Sequence, residues 1–368
     1  MAMGERARAM IIEEFNRPLR MRELPLPEPG PGEALVRMLA AGVCGSDVHI
    51  AKGEDIRVRA PLIPGHEGIG ELVASGGTLG DIDGREVRPG DRIAWERGLS
   101  CGVCHFCVVL RDPALCRNRR TYGIHVPMDE PPHLNGCYAS HIMLRRGAKL
   151  ISLRDFPDMD PAVLVPACCS GATTAHGFDM RRPETGDTAV VQGPGPLGVF
   201  AVDLAKRAGA RNIVVIGRES PRTAICRRLG ATHILDRGAT SPEERRARVR
   251  ELTGGRGADW VYECAGTNAA VSEALGLARR GGAVLTAGIA VPTGEIAVDW
   301  FRIVNLMNLT VQGVWLSDTR HLRQALGLIL DNPEPYAGLI THRFPLERAN
   351  EALAAVERGE TVKAALIP

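Results

Sequence analysis

The sequence has few aromatic residues, almost no net charge and no long apolar run. Phe, Trp and Tyr make up 4% of its 368 residues, so its core must be mostly aliphatic. The formal net charge of +2 gives no basic field that would attract nucleic acid or an anionic membrane. No stretch of about 18 apolar residues occurs, so no transmembrane helix is expected. We therefore expect neither a nucleic-acid partner nor a membrane partner.

The first residues also lack the features of a secretory signal. Residues 1–10 contain charged side chains and no long apolar stretch, which predicts a cytoplasmic protein. There is no internal repeat and no low-complexity segment. The chain is too long for one ordinary hydrophobic core, and its length suits two domains.

The apolar pattern changes along the chain. Residues 9–95 hold short apolar runs broken by Gly and Pro, which predicts an all-β, barrel-like region. From about residue 161, predicted strands alternate with predicted helices, an α/β pattern that indicates a parallel sheet with right-handed crossovers. The predicted strands are 189–191, 213–216, 260–262, 283–285 and 309–311, and the predicted helices are 197–208, 222–229 and 321–330.

Four of the ten cysteines crowd into the irregular segment between these regions. They are Cys101, Cys104, Cys107 and Cys116. In a reducing compartment such a cluster favours metal over disulfides. Four thiolates can surround one tetrahedral zinc and leave no open position, so the predicted site is structural. The alternative is four unrelated thiols.

A second group of polar residues lies upstream. Residues 42–49, GVCGSDVH, contain Cys44, Ser46, Asp47 and His49, and residues 65–70, GHEGIG, contain His66 and Glu67. A lone histidine beside glycines is more often structural, and Ser46 and Asp47 alone would suit a turn. Two such motifs upstream of a closed zinc site favour a second metal site.

A glycine loop follows the strand predicted at 189–191. Gly193, Gly195 and Gly198 fit the pattern G-x-G-x-x-G, with Pro196 and Leu197 opening the next helix. In that context Gly193 makes a tight turn, Gly195 lets the backbone approach a pyrophosphate, and Gly198 lets the helix pack on the strand. The helix N-terminus then faces the phosphates.

Together these motifs resemble the zinc-containing alcohol dehydrogenases of the medium-chain dehydrogenase/reductase family, over essentially the whole chain. The resemblance implies an α/β protein with a GroES-like β-barrel catalytic domain at 1–165 and 316–368 and a Rossmann doubly wound parallel-sheet domain at 166–315. It implies two Zn²⁺ per chain and hydride transfer between NAD(P) and an alcohol or its aldehyde or ketone. It also implies a homo-oligomer, either a dimer or a tetramer.

The resemblance assigns a catalytic zinc to Cys44, His66 and one further cysteine. The family usually has Thr four residues after the third ligand, which Cys169 satisfies and Cys168 does not. An open zinc site polarises a carbonyl and acidifies an alcohol.

Four neighbouring residues receive roles from the same resemblance. Ser46 matches the hydroxyl that takes the alcohol proton, and His49 matches the end of the relay, reached through the nicotinamide ribose. Asp47 resembles the carboxylate that orients the zinc-bound histidine. Glu67 would lie behind the metal and act in ligand exchange.

The cofactor-binding positions leave the choice between NAD and NADP open, with a slight preference for NADP. Gly217 stands where NAD-specific members have Asp, and Arg218 next to it suits a 2′-phosphate, although Glu219 could still bind a ribose. Lys363 falls where the family has a basic residue that meets the pyrophosphate. Ile289 lies at the strand end whose backbone holds the carboxamide.

Arg97 departs from the family pattern. It precedes Cys101 by four residues, where many members have an apolar residue that lines the substrate pocket. Either this cation lies near the zinc and favours a polar or anionic substrate, or it faces solvent.

Two other functions remain possible at this point. A zinc-free quinone or enoyl reductase of the same superfamily would lack both sets of cysteines. A non-catalytic cofactor-binding protein would not need the metal ligands and relay residues. The sequence does not identify the substrate.

Overall fold

The computed structural model describes residues 6–368, and the chain divides into two compact units. The first contains the chain up to Cys169 together with Asp318–Ile329 and Ile340–Pro368, and the second contains Ser170–Ser317 and Leu330–Leu339. The sequence placed residues 330–339 in the first domain, whereas the structure groups them with the second. The expectation about a signal at residues 1–10 falls partly on residues 1–5, outside the described residues.

The N-terminal part of the first unit consists mainly of strands. Its three short helices are α1 (Gly45–Ala51), α2 (His105–Val108) and α3 (Pro161–Leu164). Its strands are β1 (Arg6–Ile11), β2 (Arg20–Pro25), β3 (Ala34–Val43), β4 (Gly68–Ser75), β5 (Leu79–Gly80), β6 (Glu86–Val87), β7 (Arg92–Trp95), β8 (Gly98–Leu99), β9 (Arg120–Thr121), β10 (His141–Leu144) and β11 (Leu150–Ser152). The helix α1 interrupts a region that the sequence predicted to be all β.

The second unit alternates strands and helices, as predicted. Its helices are α4 (Ser170–Met180), α5 (Pro196–Arg207), α6 (Pro221–Arg228), α7 (Pro242–Leu252) and α8 (Asn268–Leu277). Its strands are β12 (Thr188–Gln192), β13 (Asn212–Gly217), β14 (His233–Asp236), β15 (Ala258–Glu263), β16 (Ala278–Thr286) and β17 (Thr310–Gly313). They form one parallel sheet in the order β14-β13-β12-β15-β16-β17. This is a doubly wound sheet, whose strand order reverses at β12.

The remaining elements lie mainly in the first unit, apart from one short helix. They are α9 (Thr319–Asp331), α10 (Pro333–Ala337), β18 (Ile340–Pro345), α11 (Ala349–Glu357) and β19 (Lys363–Ile367), of which α10 belongs to the second unit. The main sheet has the order β11-β7-β4-β3-β19-β18, with β10 also paired to β3. Because β19 pairs with β3, a strand from the end of the chain lies beside one from its beginning.

Both units bury mainly aliphatic side chains, as the composition predicted. The central strands β12 and β13 are buried on both faces, which explains their continuous apolar runs. Among the aromatic residues, Trp95, Tyr122 and Tyr138 are almost fully buried in the first unit, whereas Trp300 and Phe301 are exposed. Within residues 6–368, no helix combines the length and apolarity needed to cross a bilayer.

Candidate metal centres and cofactor loop

The structure brings the four clustered cysteines together around a common point. The Sγ atoms are 3.6 Å apart for Cys104 and Cys107, 3.5 Å for Cys101 and Cys116, and 3.9 Å for Cys104 and Cys116. Four sulfurs placed tetrahedrally at the usual Zn–S distance are about 3.8 Å from one another. The four side chains therefore fit one closed zinc site.

The backbone around this cluster favours thiolates. The backbone N–H groups of Val103 and Cys104 lower the pKa of Cys101 to about 6. The backbone N–H of Cys107 likewise lowers the pKa of Cys104. None of the ten cysteines, all of which lie in the described residues, forms a disulfide. Burial raises the pKa of Cys107 to about 12, so the backbone favours the thiolate, which is the metal-binding form, at Cys101 and Cys104.

A second cluster joins Cys44, His66, Glu67 and Cys169. One ligand atom of each lies within 4.8 Å of those of the others. Cys44 directly follows β3, and His66 and Glu67 directly precede β4, its neighbour in the sheet. The adjacent Cys168 instead directs its Sγ to the carbonyl of Gly68, at 3.5 Å. The cluster therefore contains two thiols, an imidazole and a carboxylate.

Asp47 organises this cluster from behind. Its Oδ2 accepts the backbone N–H of Cys44 at 2.8 Å and the hydroxyl of Tyr138 at 3.1 Å. Its Oδ1 lies 3.2 Å from Nδ1 of His66, and both side chains are buried. Because Nδ1 of His66 faces a carboxylate, Nε2 remains for a metal ion.

The surroundings of His66 are strongly anionic. Burial opposes its protonation, but Asp47 and the thiol of Cys44 outweigh burial and raise the pKa of His66 to about 10. The hydrogen bond with Cys169 lowers the pKa of the Cys44 thiol. A field that favours a proton here also favours a divalent cation, which would displace that proton on binding.

Two buried cations accompany the acidic groups. Lys363 donates to Oε1 of Glu67 at 2.8 Å and lies 2.6 Å from Oε2, and the two side chains are 3% and 0% exposed. Burial alone would lower the pKa of Lys363, and Glu67 reverses this effect. Lys363, expected from the resemblance to meet a pyrophosphate, is thus paired with Glu67 in the first unit.

Arg97 is the second cation. It is 7% exposed, and its guanidinium donates a hydrogen bond to Sγ of Cys169. The alternative that Arg97 faces solvent is therefore wrong. Its positive charge lies directly beside one of the two thiols of the cluster that contains Cys44 and Cys169.

The two relay candidates lie on α1, one turn apart. Ser46 Oγ lies 3.8 Å from Sγ of Cys44. His49, three residues later, is on the same face of the helix. Its side chain is 39% exposed, and its Nδ1 lies 2.5 Å from Oε2 of Glu54. Ser46 thus lies beside the candidate metal ligand Cys44, and His49 is nearer the solvent.

The glycine loop connects β12 to α5 in the second unit. Gly193 has φ +93°, and Gly195 is the residue before α5, which begins with Pro196 and Leu197. A Cβ on Gly198 would lie 2.0 Å from the carbonyl oxygen of Gly193, so the helix can approach the loop only with glycine there. The loop is therefore built as a dinucleotide loop requires.

The next strand ends at Gly217. A Cβ there would lie 2.4 Å from Cδ of Pro194, so an Asp at this position would collide with the glycine loop. Arg218 is exposed. Glu219 binds Arg227 at 2.5 and 2.8 Å and accepts the hydroxyl of Thr223 at 3.0 Å. The carboxylate of Glu219 is thus held by α6.

The segment with Ile289 lies at the carboxyl end of β16. The backbone N–H groups of Ala287 and Gly288 donate to the carbonyl of Glu263 at 3.0 and 3.1 Å. Ile289 thus follows a stretch anchored to the end of β15, the neighbouring strand.

Comparison with known proteins agrees with this geometry. Residues 30–155 match the alcohol dehydrogenase GroES-like domain family, and residues 196–331 match the zinc-binding dehydrogenase family. The 5-exo-hydroxycamphor dehydrogenase of Pseudomonas putida is 36% identical over 97% of both chains. The chain belongs to the zinc-containing alcohol dehydrogenases of the medium-chain dehydrogenase/reductase family. This alcohol dehydrogenase is an oxidoreductase that uses a nicotinamide cofactor.

Other relatives also match this alcohol dehydrogenase over nearly its full length. An L-threonine 3-dehydrogenase of Chelativorans sp. (strain BNC1) is 30% identical over 98% of both chains. The structure of an alcohol dehydrogenase from Thermotoga maritima has a TM-score of 0.95 and 43% identity, and the match covers 99% of this chain and 100% of that one. A protein from Sinorhizobium meliloti 1021, solved with NADP bound, has a TM-score of 0.84 and 27% identity over 99% and 100% of the chains. The fold expected from the resemblance, GroES-like plus Rossmann, is confirmed.

Sequence reasoning missed three contacts in this alcohol dehydrogenase. It did not predict Tyr138 behind Asp47, the hydrogen bond from Arg97 to Cys169, or Glu54 beside His49. The first two join residues far apart in sequence, and no local pattern carries them. The third joins residues only five apart, but it depends on the end of helix α1, which the sequence did not predict.

Proposed function

We propose that this alcohol dehydrogenase binds a catalytic zinc through Cys44, His66 and Cys169. The observation that carries the proposal is the convergence of these three donors with Asp47 behind His66. Two thiolates and an imidazole form a usual catalytic zinc set with one position open. The bound zinc supplies a Lewis acid that polarises the oxygen of the alcohol or carbonyl.

The remaining side chains of the site transfer protons and compensate charge. Ser46 accepts the proton of the alcohol, and His49 passes it towards the solvent. Glu67, held by Lys363, stays behind the metal and is available for ligand exchange. Arg97 adds a positive charge beside Cys169, which compensates the negative charge that develops on the substrate oxygen during oxidation.

The second zinc belongs to Cys101, Cys104, Cys107 and Cys116. Their sulfur separations near 3.8 Å support a closed tetrahedral site. Its role is structural, because no position is left for substrate. The segment around it contains little regular structure, so bound zinc contributes directly to its folding.

NADP(H) is the preferred cofactor in this proposal. Gly217 places no carboxylate near the adenosine ribose, and Arg218 beside it is exposed. Glu219, the residue that could have favoured NAD, is engaged by Arg227. The Sinorhizobium meliloti relative was solved with NADP. Arg218 can therefore supply a charge-assisted hydrogen bond to the 2′-phosphate.

The substrate is a secondary alcohol or the matching ketone. Two relatives are dehydrogenases of 5-exo-hydroxycamphor and of the 3-position of L-threonine, and both hydroxyls are on secondary carbons. The enzyme acts in the cytoplasm, where its many thiols stay reduced. It works as a dimer or tetramer, for which exposed Trp300 and Phe301 offer apolar contact surface.

Metal analysis of two matched variants tests the proposal. The wild type should contain two zinc ions per chain and reduce NADP⁺ with secondary alcohols. Cys169→Ser should retain one zinc and lose turnover, because only the structural site remains complete. Cys168→Ser is the control and should keep both ions and most activity. Two retained zinc ions in Cys169→Ser would refute the ligand set, and zinc-free active protein would favour the quinone reductase reading.

A further inference from the structure

The loop after α1 folds back onto the helix and places Glu54 on His49. Gly53 has φ +71°, a conformation that glycine adopts without strain. Its N–H donates to the carbonyl of Ile50 at 2.9 Å, and the N–H of Glu54 donates to the carbonyl of His49 at 3.0 Å. This pair of bonds is a Schellman motif. It brings Oε2 of Glu54 to 2.5 Å from Nδ1 of His49.

The contact fixes which nitrogen of His49 is basic. An ionised carboxylate can only accept hydrogen bonds, so the proton of the neutral imidazole must be on Nδ1. The lone pair is then on Nε2. The hydrogen bond with His49 lowers the pKa of Glu54, so the carboxylate is ionised at neutral pH. Helix α1 thus carries a serine hydroxyl and an imidazole one turn apart, and the loop after it adds a carboxylate beside the imidazole.

We propose that Glu54 is a positioning residue of the proton relay, holding His49 as the Nδ1–H tautomer and stabilising its imidazolium form. The inference rests on the proposed function, in which the relay runs through Ser46 and His49. During oxidation the proton of the alcohol would pass through Ser46 towards Nε2 of His49, and the nicotinamide cofactor would supply the acceptor of the hydride. The imidazolium then releases that proton to water, for which its 39% exposure provides a route.

The other charged side chains near His49 and Glu54 do not disrupt the contact between these two residues. Lys52 lies in the same loop and pairs with Glu357 of α11, the helix that packs on α1, at 2.5 Å. Glu357 thereby compensates Lys52, whose charge would otherwise compete with His49 for Glu54. Exposed ion pairs contribute little to stability, so the effect of Glu54 belongs in the tautomer and the pH profile rather than in the melting temperature.

Two measurements on the zinc-loaded enzyme test the inference. Glu54→Gln is the variant, and Glu351→Gln, which removes an exposed carboxylate of α11 that pairs with Arg348, is the matched control. The first is ¹⁵N–¹H NMR of histidine-labelled protein, with His49→Asn to assign the resonances. The wild type should show Nδ1–H for His49, and Glu54→Gln should shift the population towards Nε2–H. Losing the carboxylate removes the acceptor that holds the proton on Nδ1.

The second measurement is the pH dependence of kcat for alcohol oxidation. In Glu54→Gln the kcat should fall towards that of His49→Asn across the measured pH range, and Glu54→Asp should restore most of the wild-type profile. Glu351→Gln should change neither the histidine spectrum nor the pH profile. An unchanged tautomer in Glu54→Gln would overturn the inference about Glu54 and would leave the proposed function standing. A changed tautomer with an unchanged pH profile would overturn the relay through His49, and with it both the inference and that part of the proposed function.

Discussion

Replacing Lys363 with Met should destabilise the first unit more than any exposed charge substitution. The ammonium lies within 2.8 Å of both carboxylate oxygens of Glu67, and neither side chain is more than 3% exposed. Removing one partner of such a buried pair costs about 3–5 kcal/mol, because the other charge stays buried without compensation. Met keeps most of the packing of the lysine stem, so little of the loss comes from a cavity. We expect a melting temperature lower by about 6–20 °C, at about 2–4 °C per kcal/mol.

The assay is thermal and denaturant unfolding of the zinc-loaded protein, for Lys363→Met, Glu67→Gln and the double variant. Glu67→Gln removes the charge that Lys363→Met leaves unpaired, so the double variant should be more stable than Lys363→Met alone. Arg348→Met is the control. Its partner is Glu351, both side chains are more than half exposed, and the expected change is below about 1 kcal/mol. A Lys363→Met protein as stable as this control would refute the reasoning.

Three further predictions concern other parts of the molecule. Cys104→Ser should leave an incomplete zinc shell and yield insoluble or thermally weak protein, and a variant with wild-type melting and zinc content would exclude a structural site. Arg218→Ala should weaken NADP(H) by about one to two decades in kcat/KM and spare NAD(H), since a charge-assisted bond contributes roughly 1.5–3 kcal/mol; equal losses with both cofactors would contradict this. Arg120 and Arg145 lower the pKa of Glu130 to about 2, so this carboxylate stabilises the fold above its unfolded pKa and loses that effect as pH falls towards about 2. Glu130→Gln should therefore flatten the pH dependence of stability in that acid range, as denaturant titration at several pH values would measure, and an unchanged slope would count against it.

The parallel sheet was predictable because its central strands carry continuous apolar runs. The runs at 189–191 and 213–216 lie inside β12 and β13, which are buried on both faces. The helix α1 was not predicted, since seven residues are too few for a helical period to emerge. Its start depends on Asp47 capping Cys44. Local hydrogen bonding thus overrode the alternating pattern of the surrounding strands.

The candidate site was predictable where short motifs carry the donors and unpredictable where distant side chains meet them. The spacing between Cys169 and Thr173 selected the cysteine that the structure places beside Cys44. No spacing connects Arg97 to Cys169 or Lys363 to Glu67, because these contacts depend on how strands pair. Strand β19 carries Lys363 into the site only because it pairs with β3.

The position of β19 also sets an order of assembly during synthesis. Cys101–Cys116 is a short contiguous segment, so the zinc proposed for it could bind while the chain is still emerging from the ribosome. The edge of β3 that pairs with β19, however, stays unpaired until β19 is made, and β19 is translated after every other described strand. Until then Glu67 has no ammonium beside it, and the sheet edge next to Cys44 is exposed to unwanted pairing. If both zinc sites form as proposed, the four-cysteine site would therefore form earlier during synthesis than the site that contains Glu67.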